Sequence, residues 1–137
     1  MTPPFEIQVR IYYEDTDCGG VVYYANYLKY FERARTAHLE SLGLDLVPMT
    51  REGRFFVVTS AEVQYHAPGR YGDTLRIQSL IQDIGGASVT FSHVVLCESS
   101  TEKLVTGTVR LASVDAGGRV ARFTPAVLER LKAHGSN

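Results

Sequence analysis

Apolar and polar residues alternate through Phe5-Glu6-Ile7-Gln8-Val9-Arg10-Ile11-Tyr12-Tyr13, which is the period of a half-buried strand. An acidic, glycine-containing loop follows. From about Asn26 the period changes, and Leu28, Phe31, Ala34 with Arg35, His38 with Leu39, and Leu42 recur at helical spacing until Gly43 offers a stop. That predicts one helix of about four turns. A second stripe, Tyr27, Tyr30, Ala34 and Ala37, widens the apolar arc, as expected of a helix that a curved sheet wraps on more than one side.

After a loop rich in breakers (Pro48, Gly53), four strand-like segments follow with no helix between them, at roughly 54–67, 74–84, 87–98 and 103–115. Ala61, Val63 and Tyr65 oppose Glu62, Gln64 and His66, while Val89, Phe91, His93 and Val95 oppose Ser88, Thr90 and Ser92. The joints at Pro68-Gly69, Gly85-Gly86 and Ser99-Ser100-Thr101 are short and turn-like, which predicts an antiparallel meander or a close relative of one. Thr124-Pro125 caps a short final helix running from Ala126 to about His134. The order strand, long helix, four strands gives an α+β fold: a five-stranded antiparallel sheet around one long central helix, with a short C-terminal helix. One helix cannot cover such a sheet, so a face or an open edge calls for burial by self-association.

Length and composition narrow the partners. The 137 residues, 45% of them apolar and 21% charged, suit a single domain spanning 1–137. Fourteen basic against 15 acidic residues give a formal net charge of −1, with no like-charge run, so a nucleic-acid partner is not expected. Met1-Thr2-Pro3-Pro4 leads directly into a strand without the marks of a secretory signal, and no apolar run approaches the ~20 residues that cross a bilayer. Cys18 and Cys97 lack metal-type spacing and read as reduced thiols, so a cytoplasmic protein is expected. The histidines His38, His66, His93 and His134 show no metal spacing either, and His134 suits the end of the last helix electrostatically.

The densest chemistry is the stretch from Tyr13 to Tyr27, where Glu14, Asp15 and Asp17 stand with Gly19-Gly20 just before the long helix. A carboxylate on a loop that opens onto a helix N-terminus supplies a base or nucleophile together with a donor-rich, electropositive end for a developing oxyanion. From the residues alone, Asp15 and Asp17 are also what a turn or helix cap would use.

The run Val9-Arg10-Ile11-Tyr12-Tyr13-Glu14-Asp15-Thr16-Asp17-Cys18-Gly19-Gly20-Val21-Val22-Tyr23-Tyr24-Ala25-Asn26-Tyr27, with Tyr30-Phe31-Glu32-Arg33-Ala34-Arg35, resembles the hotdog-fold acyl-CoA thioesterases. The likeness is to the branch holding 4-hydroxybenzoyl-CoA thioesterase and the Tol-Pal-associated acyl-CoA thioesterase. It implies a hotdog fold, hydrolysis of an acyl-CoA thioester without metal or organic cofactor, and a homodimer or homotetramer with active sites at subunit boundaries. It maps the catalytic carboxylate onto Asp17 and the carbonyl-polarising backbone N–H onto or near Tyr24. The Tol-Pal-associated members commonly carry histidine where this chain has Tyr24, whereas the 4-hydroxybenzoyl type carries tyrosine, and alanine or proline is more usual at the position of Cys18; these differences bear on acyl preference.

A carboxylate held against a thioester carbonyl can attack it or direct a water, and the sequence does not separate the two. The expected acyl-CoA site comprises Asp17 and Tyr24 as catalytic positions and Gly19, Gly20, Val22, Tyr23, Asn26, Tyr27 and Ser60 around the substrate, with Thr59 as Ser60's neighbour and the oxyanion donor within 22–24. Asp15 is expected to accept N–H groups of its own turn. Glu32 is the runner-up carboxylate and more readily an ion-pair partner of Arg33 or Arg35. Cys18 is expected to be a small buried apolar residue. Arg70, Arg76, Lys103, Arg110, Arg119 and Arg122 are candidates for the CoA phosphates. The rival readings are a hotdog (de)hydratase acting on acyl thioesters, which would want a histidine near the helix, and a non-catalytic acyl-CoA-binding protein.

Overall fold

The computed structural model describes residues 4–135, and 1–3, 136–137 and the side chains of 134–135 lie outside it. The readings made on Met1-Thr2-Pro3 and on the His134 side chain therefore lie outside the described residues. The elements are β1 (Phe5–Arg10), a short 3-10 turn (Tyr13–Asp15), α1 (Asn26–Ser41), α2 (Leu46–Arg51), β2 (Phe55–Tyr65), β3 (Thr74–Ile84), β4 (Ser88–Cys97), β5 (Lys103–Val114) and α3 (Pro125–Gly135). All neighbouring strands are antiparallel, in the order β1-β3-β4-β5-β2.

Cross-strand register sorts the side chains by face. Ile7, Ile77, Val95 and Val105 lie in one row across four strands, and Ser79, His93, Gly107 and Val63 form the next. Most of these are buried, and they turn inward onto the α1 stripe of Tyr27, Tyr30, Phe31, Ala34 and Leu39. The opposite face is polar, where Glu6 pairs with Arg76 at 3.2 Å and Gln8 donates to Glu98. Phe31 stacks on His93 with ring centroids 4.6 Å apart. Opposite them a Cβ on residue 107 would lie 2.5 Å from Phe31 Cε2, so only glycine lets the helix settle this close to the sheet.

Three expectations need correction. The first strand ends at Arg10 rather than Tyr13, because β3 begins at Thr74, the partner of Arg10, and the chain then bends as the Tyr12 N–H bonds the Asp15 carboxylate. The breaker-rich loop contains α2: Asp45 caps it by accepting from the Val47 N–H at 3.1 Å, and Pro48 falls in the first turn, where its missing N–H costs nothing. The four later strands are not a simple meander. Only β3-β4-β5 run as hairpins; β2 lies beyond β5, so the 66–73 segment is a crossover rather than a tight turn. Its course puts β2 at one open edge, with every residue exposed except the half-buried Phe55, Phe56 and Val63. The final helix stands as expected, with Thr124 Oγ1 accepting from the Val127 N–H.

Candidate active site

The 66–73 crossover passes over the N-terminus of α1 and is stitched to the acidic loop. Val22 N–H donates to Gly69 O at 2.8 Å, Tyr71 N–H donates to Gly20 O at 3.1 Å, and Val21 bridges to Arg70. Gly69 in turn donates its N–H to the buried Tyr27 Oη at 3.0 Å. Loop, crossover and helix thus meet at one point, which fixes the walls of a cleft of about 390 Å³. Asp17, Val22, Tyr24, Tyr27, Tyr65 and His66 line it, with Pro68 at its rim.

Asp17 stands on a tight turn. Its N–H donates to Val21 O, its carbonyl accepts from Gly20 N–H, and its Oδ1 accepts from Gly19 N–H at 2.8 Å. Gly20 closes the turn at φ 78°, a left-handed conformation that favours glycine. One oxygen of Asp17 is thereby held, and the side chain stays exposed at the cleft. Cys18, at the tip of the same turn, is exposed rather than buried, because the turn projects away from the core.

Asp15 does the bracing. Its Oδ2 accepts from Tyr12 N–H at 2.8 Å, and its carbonyl accepts from Tyr23 N–H at 2.9 Å and from Asn26 Nδ2 at 2.8 Å. The buried Tyr30 hydroxyl lies near this carboxylate and has no acceptor at hydrogen-bond distance among the described residues. Burial first and the Asp15 charge second push the Tyr30 phenol well above its ordinary pKa. Burial likewise raises Tyr27 and Tyr65, so both remain neutral hydroxyls beside the cleft.

These bonds decide which backbone donor is free. Of the three N–H groups at 22–24, Val22 is spent on Gly69 and Tyr23 on Asp15, whereas among the described residues nothing accepts from Tyr24. The Tyr24 amide stands at the entry to α1, whose N-cap Ala25 offers no side-chain cap. A free N–H at a helix start, beside a carboxylate in one cleft, can bind a carbonyl oxygen while the carboxylate addresses the carbon. The chain matches the family model described as the thioesterase-like superfamily over residues 11–131. It belongs to the hotdog-fold acyl-CoA thioesterases.

Relatives of this thioesterase include "Acyl-CoA thioesterase YbgC" from Haemophilus influenzae, 38% identical over 82% of each chain. "Acyl-CoA thioester hydrolase YbgC" from Escherichia coli is 41% identical over 73% of this chain and 75% of its own. The solved 1,4-dihydroxy-2-naphthoyl-CoA thioesterase from Synechocystis shares the fold, with a TM-score of 0.84 at 20% identity over 93% of each chain.

The remaining expected residues fall in different places. Asn26 spends its amide on the loop, and Tyr23 stacks at a tilt on Tyr24, 4.9 Å between ring centroids. Gly19 and Gly20 shape the Asp17 turn. Ser60 lies exposed at a bulge in the middle of β2, away from the cleft lining, and Thr59 Oγ1 donates to Arg110 O. Glu32 lines another groove, accepts from Thr36 Oγ1 at 2.6 Å, and forms no ion pair with Arg33 or Arg35 among the described residues. Of the six phosphate candidates, Arg70 belongs to the crossover bridged to the acidic turn, and Arg76 is engaged by Glu6. Sequence reasoning missed Tyr65, His66 and Pro68 as cleft residues. The signal available was the crossover itself, since a strand that ends at Pro68-Gly69 without a hairpin must carry its last side chains to another element.

Proposed function

We propose that this thioesterase hydrolyses acyl-CoA with Asp17 as the catalytic carboxylate and the Tyr24 N–H as the oxyanion donor. The observation that carries the reading is the free Tyr24 amide in the same cleft as Asp17, while the Val22 and Tyr23 amides just before it are spent on structure. The thioester carbonyl oxygen accepts from Tyr24 N–H. The Asp17 oxygen not held by Gly19 either attacks the carbonyl carbon, expelling CoA as thiolate and leaving a mixed anhydride that water then cleaves to the free acid and Asp17, or takes a proton from an attacking water, with CoA leaving as thiolate and the acid released directly. No metal or organic cofactor enters this scheme. The aromatic wall of Tyr24, Tyr27 and Tyr65 and the small volume favour a short or aromatic acyl group over a long chain. Arg70, whose backbone bridges to the cleft residue Val21, is the cation proposed to meet the CoA phosphates.

His66 in the cleft gives the hydratase reading one observation in its favour, since that chemistry wants a histidine near the helix. Its Nε2 is 3.0 Å from Thr106 Oγ1, which fits a wall residue better than a base facing substrate. The open β2 edge supports self-association through that strand, giving a homodimer or a pair of dimers. A panel of short, long, aromatic and enoyl-CoA thioesters tests the reading. Free CoA should appear fastest from short or aromatic substrates, and hydration of enoyl-CoA with no thiol release from any substrate would overturn it.

A further inference from the structure

A second groove, about 370 Å³, lies between α1 and the strands at the other end of β2. Its apolar walls include Leu39, Phe56 and Val58, and its polar groups are Glu32, Arg35 and Thr36. Arg35 is only 9% exposed, yet among the described residues no carboxylate lies within ion-pair distance and no oxygen accepts from its guanidinium. Burial, only partly offset by the charge of Glu32, pulls the Arg35 pKa below its ordinary value. A guanidinium taken out of water without an acceptor is costly, so its acceptor is to be sought outside the chain.

The groove opens beside the exposed edge strand, where Val57 and Val58 are 40% and 53% exposed. A two-fold pairing of β2 with its own copy is antiparallel, and the pairing proposed here is centred on the middle of the strand, near Ser60. The helix shares that midpoint. At one end α1 meets β2 where the rings of Tyr27 and Tyr65 lie 5.9 Å apart, and at the other Leu39 shares the groove with Phe56. Halfway between these levels stands the turn of α1 that carries Glu32 and Arg35. One two-fold axis therefore serves both elements, and in a two-fold interface a contact between residue 32 of one copy and residue 35 of the other occurs twice.

We infer that the acceptor of Arg35 is the Glu32 carboxylate of a second copy of this chain, making a reciprocal pair of ion pairs across an α1–α1 and β2–β2 interface. The inference rests on the self-association proposed above and adds the pair of residues that locks it. Glu32 is exposed and held toward the groove by Thr36, so it is oriented before the partner arrives. The exposed apolar Leu28, one turn before Glu32 on the same stripe, is covered by the same contact.

The test is a charge exchange between separately purified full-length chains, with mass read by analytical ultracentrifugation over a concentration series. In E32R homodimers arginine would face arginine twice, and in R35E homodimers glutamate would face glutamate twice. Each should weaken the dimer by on the order of 100-fold or more. Mixed one to one, the two variants restore both opposite-charge pairs, and a heterodimer should form that neither gives alone. An ion pair within one chain would gain nothing from mixing. If R35E does not fold, Arg35→Met replaces it, and the mixture still regains one pair. A mixture that stays monomeric, or E32R dimerising as tightly as the wild type, overturns the ion pair while leaving the edge-strand dimer standing. A wild-type chain that is monomeric at high concentration overturns both.

Discussion

A methyl group at Gly69 would lie 3.0 Å from Tyr27 Oη, 3.1 Å from Ile11 Cδ1 and 3.3 Å from Val22 Cγ2, at the point where loop, crossover and helix are stitched together. Gly69→Ala should cost about 1–3 kcal/mol in thermal unfolding. Activity should fall more than the stability loss accounts for, because Val22, which Gly69 holds, lies between Asp17 and Tyr24 and sets their spacing. Tyr27→Phe removes the acceptor of the Gly69 N–H and leaves that buried donor unmet, which should cost about 1–3 kcal/mol in urea unfolding. At this scale the sequence pointed to the loop and helix start where Asp17, Tyr24 and Tyr27 line one cleft, Asp17 through a dense acidic loop before a helix and Tyr24 through the family resemblance. It foresaw Asp15 accepting an N–H of its own turn, but it did not reveal that Asn26 braces the loop, nor that Val22 and Tyr23 spend their amides, since those partners are reached only after the chain has folded back.

Helix and sheet meet at Gly107, where an added Cβ would collide with the Phe31 ring and approach Glu62 O at 3.2 Å. Gly107→Ala should therefore push α1 off the sheet and lower stability by about 1–3 kcal/mol or more, read from the urea midpoint. A compensating Phe31→Leu should recover part of it. The elements themselves were largely legible because their periods are strong: β3 runs over Thr74–Ile84 as the alternation predicts, β4 is one residue shorter at each end, and β5 one residue shorter at its C-terminal end. Two failures have physical causes. The six-residue α2 is too short to show a period and hides its proline in the first turn, and the position of β2 beyond β5 is a long-range choice that alternation does not encode. That crossover matters for function, because it brings Tyr65, His66 and Pro68 to the Asp17 cleft.

For the molecule as a whole, acid stability turns on a core histidine. His93 is buried against Phe31 with its Nδ1 3.2 Å from Gln78 O, and burial above all lowers its pKa from 6.5 to about 3. Between those values the unfolded chain binds a proton that the native chain refuses, so stability is full above pH 6.5, falls as pH drops through the window, and levels off near 3. The loss should reach about 1.4 kcal/mol per pH unit in that range, and His93→Gln, though less stable at pH 7, should show a flatter urea-stability profile between pH 7 and 4. No helix among the described residues is long and apolar enough to cross a membrane. The proposed self-association draws on the open β2 edge and on an Arg35 guanidinium that has no acceptor among the described residues. The proposed hydrolytic chemistry rests on one carboxylate, and the most direct measurement is CoA release by Asp17→Asn on the best wild-type substrate, under single-turnover conditions with the fold verified by circular dichroism. The expected result is a native, substrate-binding protein whose hydrolysis is slowed roughly 10²–10⁴-fold; release of CoA at the wild-type rate would contradict Asp17 as the catalyst.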